Sequence, residues 1–166
     1  MKKLLFLLIF VLVILISFKF IFIPKEKRII SENKDIIYFA YGSNMNTNQM
    51  NNRCLNGFEK ISNGKLLNYE FGFDKSGYAN IREFNDKIVF GVIYKLTKSC
   101  LNNLDQYEGY PDHYNRRIVK IQNIYDNQFI DSYVYIESKD QFNGNANQSY
   151  LDIILNGAIE NELPIN

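Results

Sequence analysis

The chain has 166 residues, enough for one domain with a hydrophobic core and too few for two ordinary domains. Hydrophobic residues make up 46% of it and charged residues 22%, a globular composition that excludes a disordered chain. Residues 1–28 hold six basic residues and one acidic residue, and the remainder of the chain holds 13 basic and 17 acidic residues, a net charge of −4. This acidic remainder excludes nucleic acid as a partner, because nucleic acid needs a basic face.

The N-terminal residues 1–23 are predicted to form a hydrophobic membrane anchor. The apolar run 4–16 resumes at residues 20–23, which amounts to about twenty residues, the length that a bilayer needs. No small-x-small cleavage site precedes Pro24, so we favour an uncleaved, single-pass anchor, and a cleaved signal on a secreted protein is the alternative. Basic residues lie on both sides of the apolar run, so the side of the membrane stays open.

The globular domain is predicted to span residues 35–166, after a polar tether at residues 24–34. It begins with a strand over residues 36–40, which breaks at a glycine-containing turn, Tyr41–Met45. Thr47 is expected to cap the short helix that follows.

Three runs of strand-forming residues come next. Gly77 and the pair Asn85-Asp86 are the turn signals between them. Gly91 interrupts an otherwise apolar run and indicates a bulge or the close approach of another backbone. The three predicted strands are Lys65–Asp74, Tyr78–Phe84 and Ile88–Leu96.

The second half of the domain starts with a helix over Lys98–Tyr107, which Thr97 is expected to cap and Glu108-Gly109 to end. All the elements together predict an α/β mixed (α+β) fold, with a small barrel-like mixed sheet of about six strands and about three helices. The remaining predicted elements are strands Tyr114–Ile124 and Phe129–Ile136 and a helix over residues 149–160.

The sequence offers few residues for metal or nucleophilic chemistry. There is one histidine, and Cys54 and Cys100 lack metal-ligand spacing, so we expect no metal and no cofactor. We expect both cysteines to be reduced core thiols, with a disulfide as the alternative. Acid–base chemistry must then come from a carboxylate or a tyrosine.

The turn after the first strand is the first candidate for a binding site. A strand that ends at a glycine and feeds a helix leaves backbone N–H groups without carbonyl partners, and such groups bind a carboxylate or an oxyanion. The residues concerned are Gly42, Ser43, Asn44 and Met45.

Glu108 is the candidate acid–base group. A carboxylate at the C-terminal end of a helix faces the negative end of the macrodipole, and burial there would raise its pKa. A carboxyl group with a raised pKa suits proton transfer near neutral pH. The alternative is a solvated glutamate that ends a surface helix.

Several motifs, in order along residues 36–164, resemble the gamma-glutamylcyclotransferase family. The signature turn Tyr38-Phe39-Ala40-Tyr41-Gly42-Ser43-Asn44-Met45 and the block Leu104-Asp105-Gln106-Tyr107-Glu108-Gly109 stand at the separation typical of that family. Further matches are Gly77-Tyr78-Ala79-Asn80-Ile81, Val89-Phe90-Gly91-Val92-Ile93-Tyr94-Lys95-Leu96 and Asn156-Gly157-Ala158-Ile159-Glu160-Asn161-Glu162-Leu163-Pro164.

The resemblance implies a metal-independent enzyme that cyclises the γ-glutamyl group of a small-molecule peptide or amine to 5-oxoproline and releases the amino acid or amine. Glu108 matches the catalytic glutamate of the family and would act as general base and then general acid. Tyr41 and Ser43 would contact the substrate, and Tyr114 and Tyr133 are candidates to hydrogen-bond its γ-glutamyl group, with half-buried packing tyrosines as the alternative.

Two other functions stay open at this point. One is a non-catalytic module that binds a carboxylate ligand in the same turn, and the other is a cyclotransferase that removes a γ-glutamyl group from a secondary metabolite. Relatives often continue past the position of Leu163-Pro164, so we expect that one side of the pocket is either open or completed by a second copy of the protein in a homodimer.

Overall fold

The computed structural model describes residues 35–137 and 142–165. The predicted anchor and tether, residues 1–34, lie outside this range. Within it, no helix combines the length and the apolar character that crossing a membrane would require.

The described residues form a closed barrel of five strands in the order β1-β3-β2-β4-β5. Neighbouring strands are antiparallel, except that β1 and β5 pair in parallel where Tyr38 lies opposite Tyr133 and closes the barrel. The predicted mixed, barrel-like sheet is therefore confirmed. The strands are β1 (Ile36–Ala40), β2 (Phe58–Phe73), β3 (Ala79–Leu96), β4 (Tyr114–Asn123) and β5 (Phe129–Glu137).

In the described part of the chain, two helices and a short 3-10 turn connect strands, and a third helix follows the last strand. Their caps explain where the helices begin. The Asn46 side chain accepts from the N–H of Gln49, so Asn46 caps the first helix and the prediction for Thr47 is wrong by one residue. Thr97 caps the second helix as predicted. The elements are the 3-10 turn Ser43–Met45, α1 (Thr47–Cys54), α2 (Lys98–Tyr107) and α3 (Gln148–Glu160).

The sheet has one strand fewer than predicted, because Tyr78–Phe84 and Ile88–Leu96 belong to one continuous strand, β3. The pair Asn85-Asp86 does not make a turn. Asp86 has a positive φ of 62° and lies at an irregularity of the β2–β3 pairing, where its N–H donates to the side chain of Asn68. Asn and Asp tolerate this left-handed conformation, so the same residues serve a bulge as well as a turn.

Gly91 confirms the predicted close approach of another backbone. A Cβ at this position would lie 2.2 Å from the carbonyl oxygen of Ala40 and 2.7 Å from the ring of Phe39. Strand β1 therefore packs directly on β3. This contact holds the end of β1, where the signature turn begins, against the centre of the barrel.

Cys54 and Cys100 form a disulfide, so the expectation of two reduced thiols is wrong. The two cysteines belong to α1 and α2, and their Cα atoms lie 4.7 Å apart. Both side chains are buried. The sequence could not show this pairing, since it depends on how two helices 46 residues apart pack together.

Candidate active site

In the signature turn, the backbone N–H groups of residues 42–44 are free. The N–H of Met45 donates to the carbonyl of Gly42 at 3.0 Å and closes the 3-10 turn. No hydrogen bond among the described residues has the backbone N–H of Gly42, Ser43 or Asn44 as its donor. The prediction that the N–H of Met45 is also free is therefore wrong, because the turn itself uses it.

Glu108 ends helix α2, as predicted. Its N–H still bonds the carbonyl of Leu104, and Gly109 follows with a positive φ of 63°, a conformation that suits glycine at a helix end. The Glu108 side chain is 17% exposed. The structure thus excludes the fully solvated glutamate of a surface helix.

Asn44 and Arg53 hold one oxygen of the Glu108 carboxylate. The Asn44 Nδ2 donates to Glu108 Oε1 at 3.0 Å, and Arg53 NH1 lies 3.4 Å from the same oxygen. Arg53 NH1 also donates to Asn44 Oδ1 at 2.7 Å. Among the described residues, no hydrogen bond or ion pair reaches Glu108 Oε2. One oxygen is fixed, and the other is left for chemistry.

Opposing effects set the pKa of Glu108. Burial raises this pKa above its ordinary value, whereas the charge of Arg53, the hydrogen bond from Asn44 and the charge of His113 each lower it. Burial dominates, so the carboxyl group holds its proton more tightly than a solvated glutamate does. A glutamate with this balance can both accept and return a proton near neutral pH.

A pocket opens at the end of the barrel in front of Glu108, and we refer to it as the inner pocket. It brings together most of the predicted site residues and leaves out Met45 and Tyr133. The Oη of Tyr41 donates to the carbonyl of Tyr135, and the Oη of Tyr114 donates to the carbonyl of Ala79, each at 2.7 Å. The lining residues are Tyr38, Tyr41, Gly42, Ser43, Asn44, Ala79, Glu108, Tyr114, Tyr135 and Tyr150.

Tyr135 takes the place that was predicted for Tyr133. The ring of Tyr133 lies 5.5 Å from the guanidinium of Arg116, away from the inner pocket, while Tyr135 two residues later lines it. Both side chains lie on the same face of β5, so alternation along the strand could not choose between them. The choice depends on how far each residue lies from the end of the barrel.

Sequence reasoning also missed Arg53 and Tyr150. Arg53 occupies the last turn of α1 and reaches Glu108 from a different helix, and Tyr150 lies in the first turn of α3. For Arg53, the only signal in the sequence was a basic residue immediately before Cys54, and this signal did not show that its side chain would point towards Glu108. Nothing in the sequence pattern distinguishes Tyr150 from other helix tyrosines.

A second cavity, the outer cavity, adjoins the inner pocket and shares four lining residues with it. His113 lies in this cavity, exposed on the loop after α2, with its ring 4.8 Å from that of Tyr114. In the part of the chain that the structure describes, no three His, Cys, Asp or Glu side chains come together as metal ligands would. The outer cavity is lined by Ser43, Arg53, Tyr78, Tyr107, Glu108, His113, Tyr114 and Tyr150.

The fold and the site define a small closed barrel with one half-buried carboxylate facing a turn of free backbone N–H groups. Residues 38–155 match the family model described as "Gamma-glutamyl cyclotransferase, AIG2-like", and the chain belongs to this family. The resemblance drawn from the motifs is therefore confirmed.

Relatives of known sequence agree with this assignment. The human and bovine proteins named gamma-glutamylcyclotransferase are each 31% identical to the chain over 87 residues, which is 47% of this chain. The match spans 46% of the length of each relative, so the chain covers about half of them.

Solved structures match over more of the chain. One named gamma-glutamyl cyclotransferase is 27% identical, with a TM-score of 0.68, and the match covers 79% of this chain and 82% of that one. An uncharacterized human protein is 28% identical, with a TM-score of 0.72, over 80% and 83% of the two chains. YkqA from Bacillus subtilis shares the fold, with a TM-score of 0.65 and 21% identity. This match covers 82% of the present chain and 52% of YkqA.

Proposed function

We propose that the protein is a γ-glutamylcyclotransferase that converts a γ-glutamyl peptide or amine to 5-oxoproline, with Glu108 as general base and then general acid. One observation carries the proposal. Glu108 has one oxygen held by Asn44 and Arg53 and the other free, in a pocket that also presents the N–H groups of the signature turn. The relatives named gamma-glutamylcyclotransferase support the same reaction.

The first step forms the ring. The substrate's α-ammonium gives a proton to Glu108 Oε2, and the free amine attacks the γ-carbonyl carbon. The carbonyl oxygen becomes an oxyanion, and the attacking nitrogen becomes a cation that holds two protons. The N–H groups of Gly42, Ser43 and Asn44 hold the α-carboxylate of the substrate. Because the nucleophile belongs to the substrate, the enzyme needs no serine or cysteine for the attack.

The second step releases the products. Glu108 returns its proton to the nitrogen of the leaving amino acid or amine, the oxyanion reforms the carbonyl, and the former amide C–N bond breaks. The ring nitrogen then gives its second proton to Glu108, which passes it to the released amine, so the products are the neutral lactam of 5-oxoproline and an ammonium group. No water is consumed, and Glu108 ends as the carboxylate it was. The outer cavity, which opens beside Glu108, has room for the leaving group.

Positioning supplies much of the catalysis in this proposal. Holding an amine against a carbonyl in the same molecule lowers the barrier by as much as about 7–11 kcal/mol in well-oriented cases. A pocket lined by five tyrosines restricts the substrate's chain to few conformers. A single carboxylate that carries one proton at a time then suffices for the chemistry.

The test is release of 5-oxoproline by the full-length protein from a panel of γ-glutamyl dipeptides, γ-glutamyl amines and γ-glutamyl secondary metabolites. Glu108→Gln keeps the shape of the side chain and removes the base, so kcat should fall by at least roughly 10²-fold. Glu59→Gln, on the exposed face of β2, is the matched control and should leave kcat unchanged. An inert wild-type protein over the whole panel would exclude the cyclotransferase.

The same experiment separates the non-catalytic alternative. A binding module would bind 5-oxoproline or a γ-glutamyl compound with similar affinity in the wild type and in Glu108→Gln, and it would form no product. The panel also identifies the natural class of leaving group. The membrane anchor at residues 1–23 and the homodimer stay predictions.

A further inference from the structure

Five tyrosine side chains line the inner pocket, and each hydroxyl carries a single proton that it can donate once. Where that proton goes decides whether the hydroxyl holds the protein together or is available to a substrate. The five are Tyr38, Tyr41, Tyr114, Tyr135 and Tyr150.

Three of these protons are committed to the protein. Tyr41 donates to the carbonyl of Tyr135, Tyr114 to the carbonyl of Ala79, and Tyr135 to Asp105 Oδ1, each at 2.7 Å. These hydroxyls tie neighbouring parts of the barrel together. A substrate would have to break such a bond to receive a proton from any of them.

Tyr150 and Tyr38 differ from these three and from each other. The Tyr150 Oη accepts from the N–H of Ala79 at 3.3 Å and from the hydroxyl of Ser43, and its half-buried side chain also lines the outer cavity. Tyr38 is 4% exposed and lies at the base of the pocket. A buried hydroxyl cannot give its proton to bulk water.

The hydrogen bonds of Asn44 show that Tyr38 acts as an acceptor. Arg53, which has only donors, bonds Asn44 Oδ1 and thereby fixes the orientation of the amide. Both hydrogens of Asn44 Nδ2 are then used, one on Tyr38 Oη at 2.9 Å and one on Glu108 Oε1 at 3.0 Å. The Tyr38 Oη therefore receives a hydrogen bond, and no residue that the structure describes accepts its own proton.

We propose that Tyr38 is the donor to the γ-carbonyl oxygen as it becomes an oxyanion in the first step, a role that rests on the function proposed above. Tyr38 and Glu108 bond the same amide nitrogen, so the donor and the base face one reacting centre. The attacking nitrogen and the oxyanion are bonded to the same carbon, which requires this closeness.

The number of hydrogen-bond donors at each place in the pocket indicates which anionic group of the substrate binds there. The α-carboxylate has two oxygens, and the signature turn offers several N–H groups in one direction. The oxyanion is a single oxygen, and Tyr38 offers a single proton. Burial, with the charge of Glu108 beside it, raises the pKa of Tyr38 far above its ordinary value, so this side chain is a neutral donor near neutral pH.

The test is Tyr38→Phe, which removes only the hydroxyl. With the substrate that wild type cyclises best, kcat should fall roughly 10²-fold, as for loss of one oxyanion donor, while KM changes less than about 2-fold. Binding of the product 5-oxoproline, which has no oxyanion, should stay within about 2-fold of wild type. The matched control is Tyr94→Phe, another buried tyrosine whose hydroxyl donates to the carbonyl of Met45 outside both cavities. It should lower Tm and leave kcat within about 2-fold.

Each other result overturns the assignment. A wild-type kcat in Tyr38→Phe means that another group holds the oxyanion. A raised KM with unchanged kcat means that Tyr38 binds the ground state, and equal losses of kcat in both variants mean that the hydroxyl is structural. If wild type forms no 5-oxoproline, the proposed function itself fails, whereas an active wild type with an active Tyr38→Phe overturns the role of Tyr38 alone.

Discussion

The two sides of the inner pocket are held in place by different physical means. On one side, the acid side, Glu108 at the end of α2 is fixed by α1 through a disulfide and an arginine. On the other, the turn side, residues 42–47 are held by α3 and by Asn161 after it, through hydrogen bonds and close packing. We expect the first side to respond to redox state and pH, and the second to the size of single side chains.

Two contacts hold the acid side. The disulfide Cys54–Cys100 joins the end of α1 to the start of α2, and Asn103 Nδ2 donates to the carbonyl of Arg53 at 3.2 Å. Arg53, next to Cys54 in the chain, is thereby held where it contacts Glu108 at 3.4 Å. A covalent bond, a hydrogen bond and a charge pair thus fix the position of Glu108.

Residues far away in the sequence hold the turn side. Asn161 Nδ2 donates to the carbonyls of Met45 at 2.9 Å and Gly157 at 2.7 Å, and the N–H of Thr47 donates to Glu160 Oε1 at 2.5 Å. Gly157 lets the helix approach the turn closely. More than a hundred residues separate the two partners of the bond from Asn161 to Met45.

Removing the disulfide should have the largest effect on stability. Cys54→Ala/Cys100→Ala opens a loop with a sequence separation of 46 residues and should lower the free energy of unfolding by about 2–4 kcal/mol. Denaturant unfolding of wild type with and without a dithiol should show a similar loss. The double variant should not respond to the dithiol, and a wild type that is equally insensitive would mean that the bridge does not form.

Gly157→Ala should damage the turn side. The added Cβ would lie 2.6 Å from the backbone N of Asn46 and 2.9 Å from the carbonyl carbon of Met45, so the helix or the turn must shift. We expect a loss of about 1–3 kcal/mol in unfolding free energy, measured by denaturant, together with a lower kcat/KM. Asn156→Ala, on the exposed face of the same helix, is the control, and it should be neutral or slightly stabilising.

Arg53→Gln should change the pH dependence on the acid side. Arg53 lowers the pKa of Glu108, so its loss raises that pKa further. Because the base must be ionised to accept a proton, the acidic limb of kcat/KM should move to higher pH. His113→Gln should move it in the same direction by less, since its charge is the smaller influence. A limb that moves to lower pH in Arg53→Gln would contradict this account.

The smallest effect is expected at the start of α1. Asn46→Ala removes the side chain that caps this helix and should cost about 1 kcal/mol of unfolding free energy. Thr47→Ala should cost less, because only the backbone of Thr47 is bonded here. Comparison of the two by thermal unfolding tests which residue is the cap, and a larger loss from Thr47→Ala would restore the prediction made from sequence.

Local patterns were the most predictable part of the molecule. The Thr97 cap and the helix end at Glu108-Gly109 follow from residues within a few positions of one another. At Gly91 the local pattern indicated a close approach, and the tertiary structure supplied its partner, Ala40. Mistakes also occurred where one residue type suits two structures, as at Asn85-Asp86, which fits either a turn or a bulge. At Asn85-Asp86 the pairing of two long strands decides that the residues form a bulge, and this pairing cannot be read from a short stretch of sequence.

By itself, the sequence determined which segments become strands and helices, the position of the signature turn and the place of Glu108 at a helix end. Spacing and capping depend on neighbours in the chain, so these features can be read from it. Only the tertiary structure decided that Arg53 and Asn44 share one oxygen of Glu108, that Tyr135 replaces Tyr133, and which phenol keeps a free proton. Such details depend on angles and distances between elements that meet only when the barrel closes.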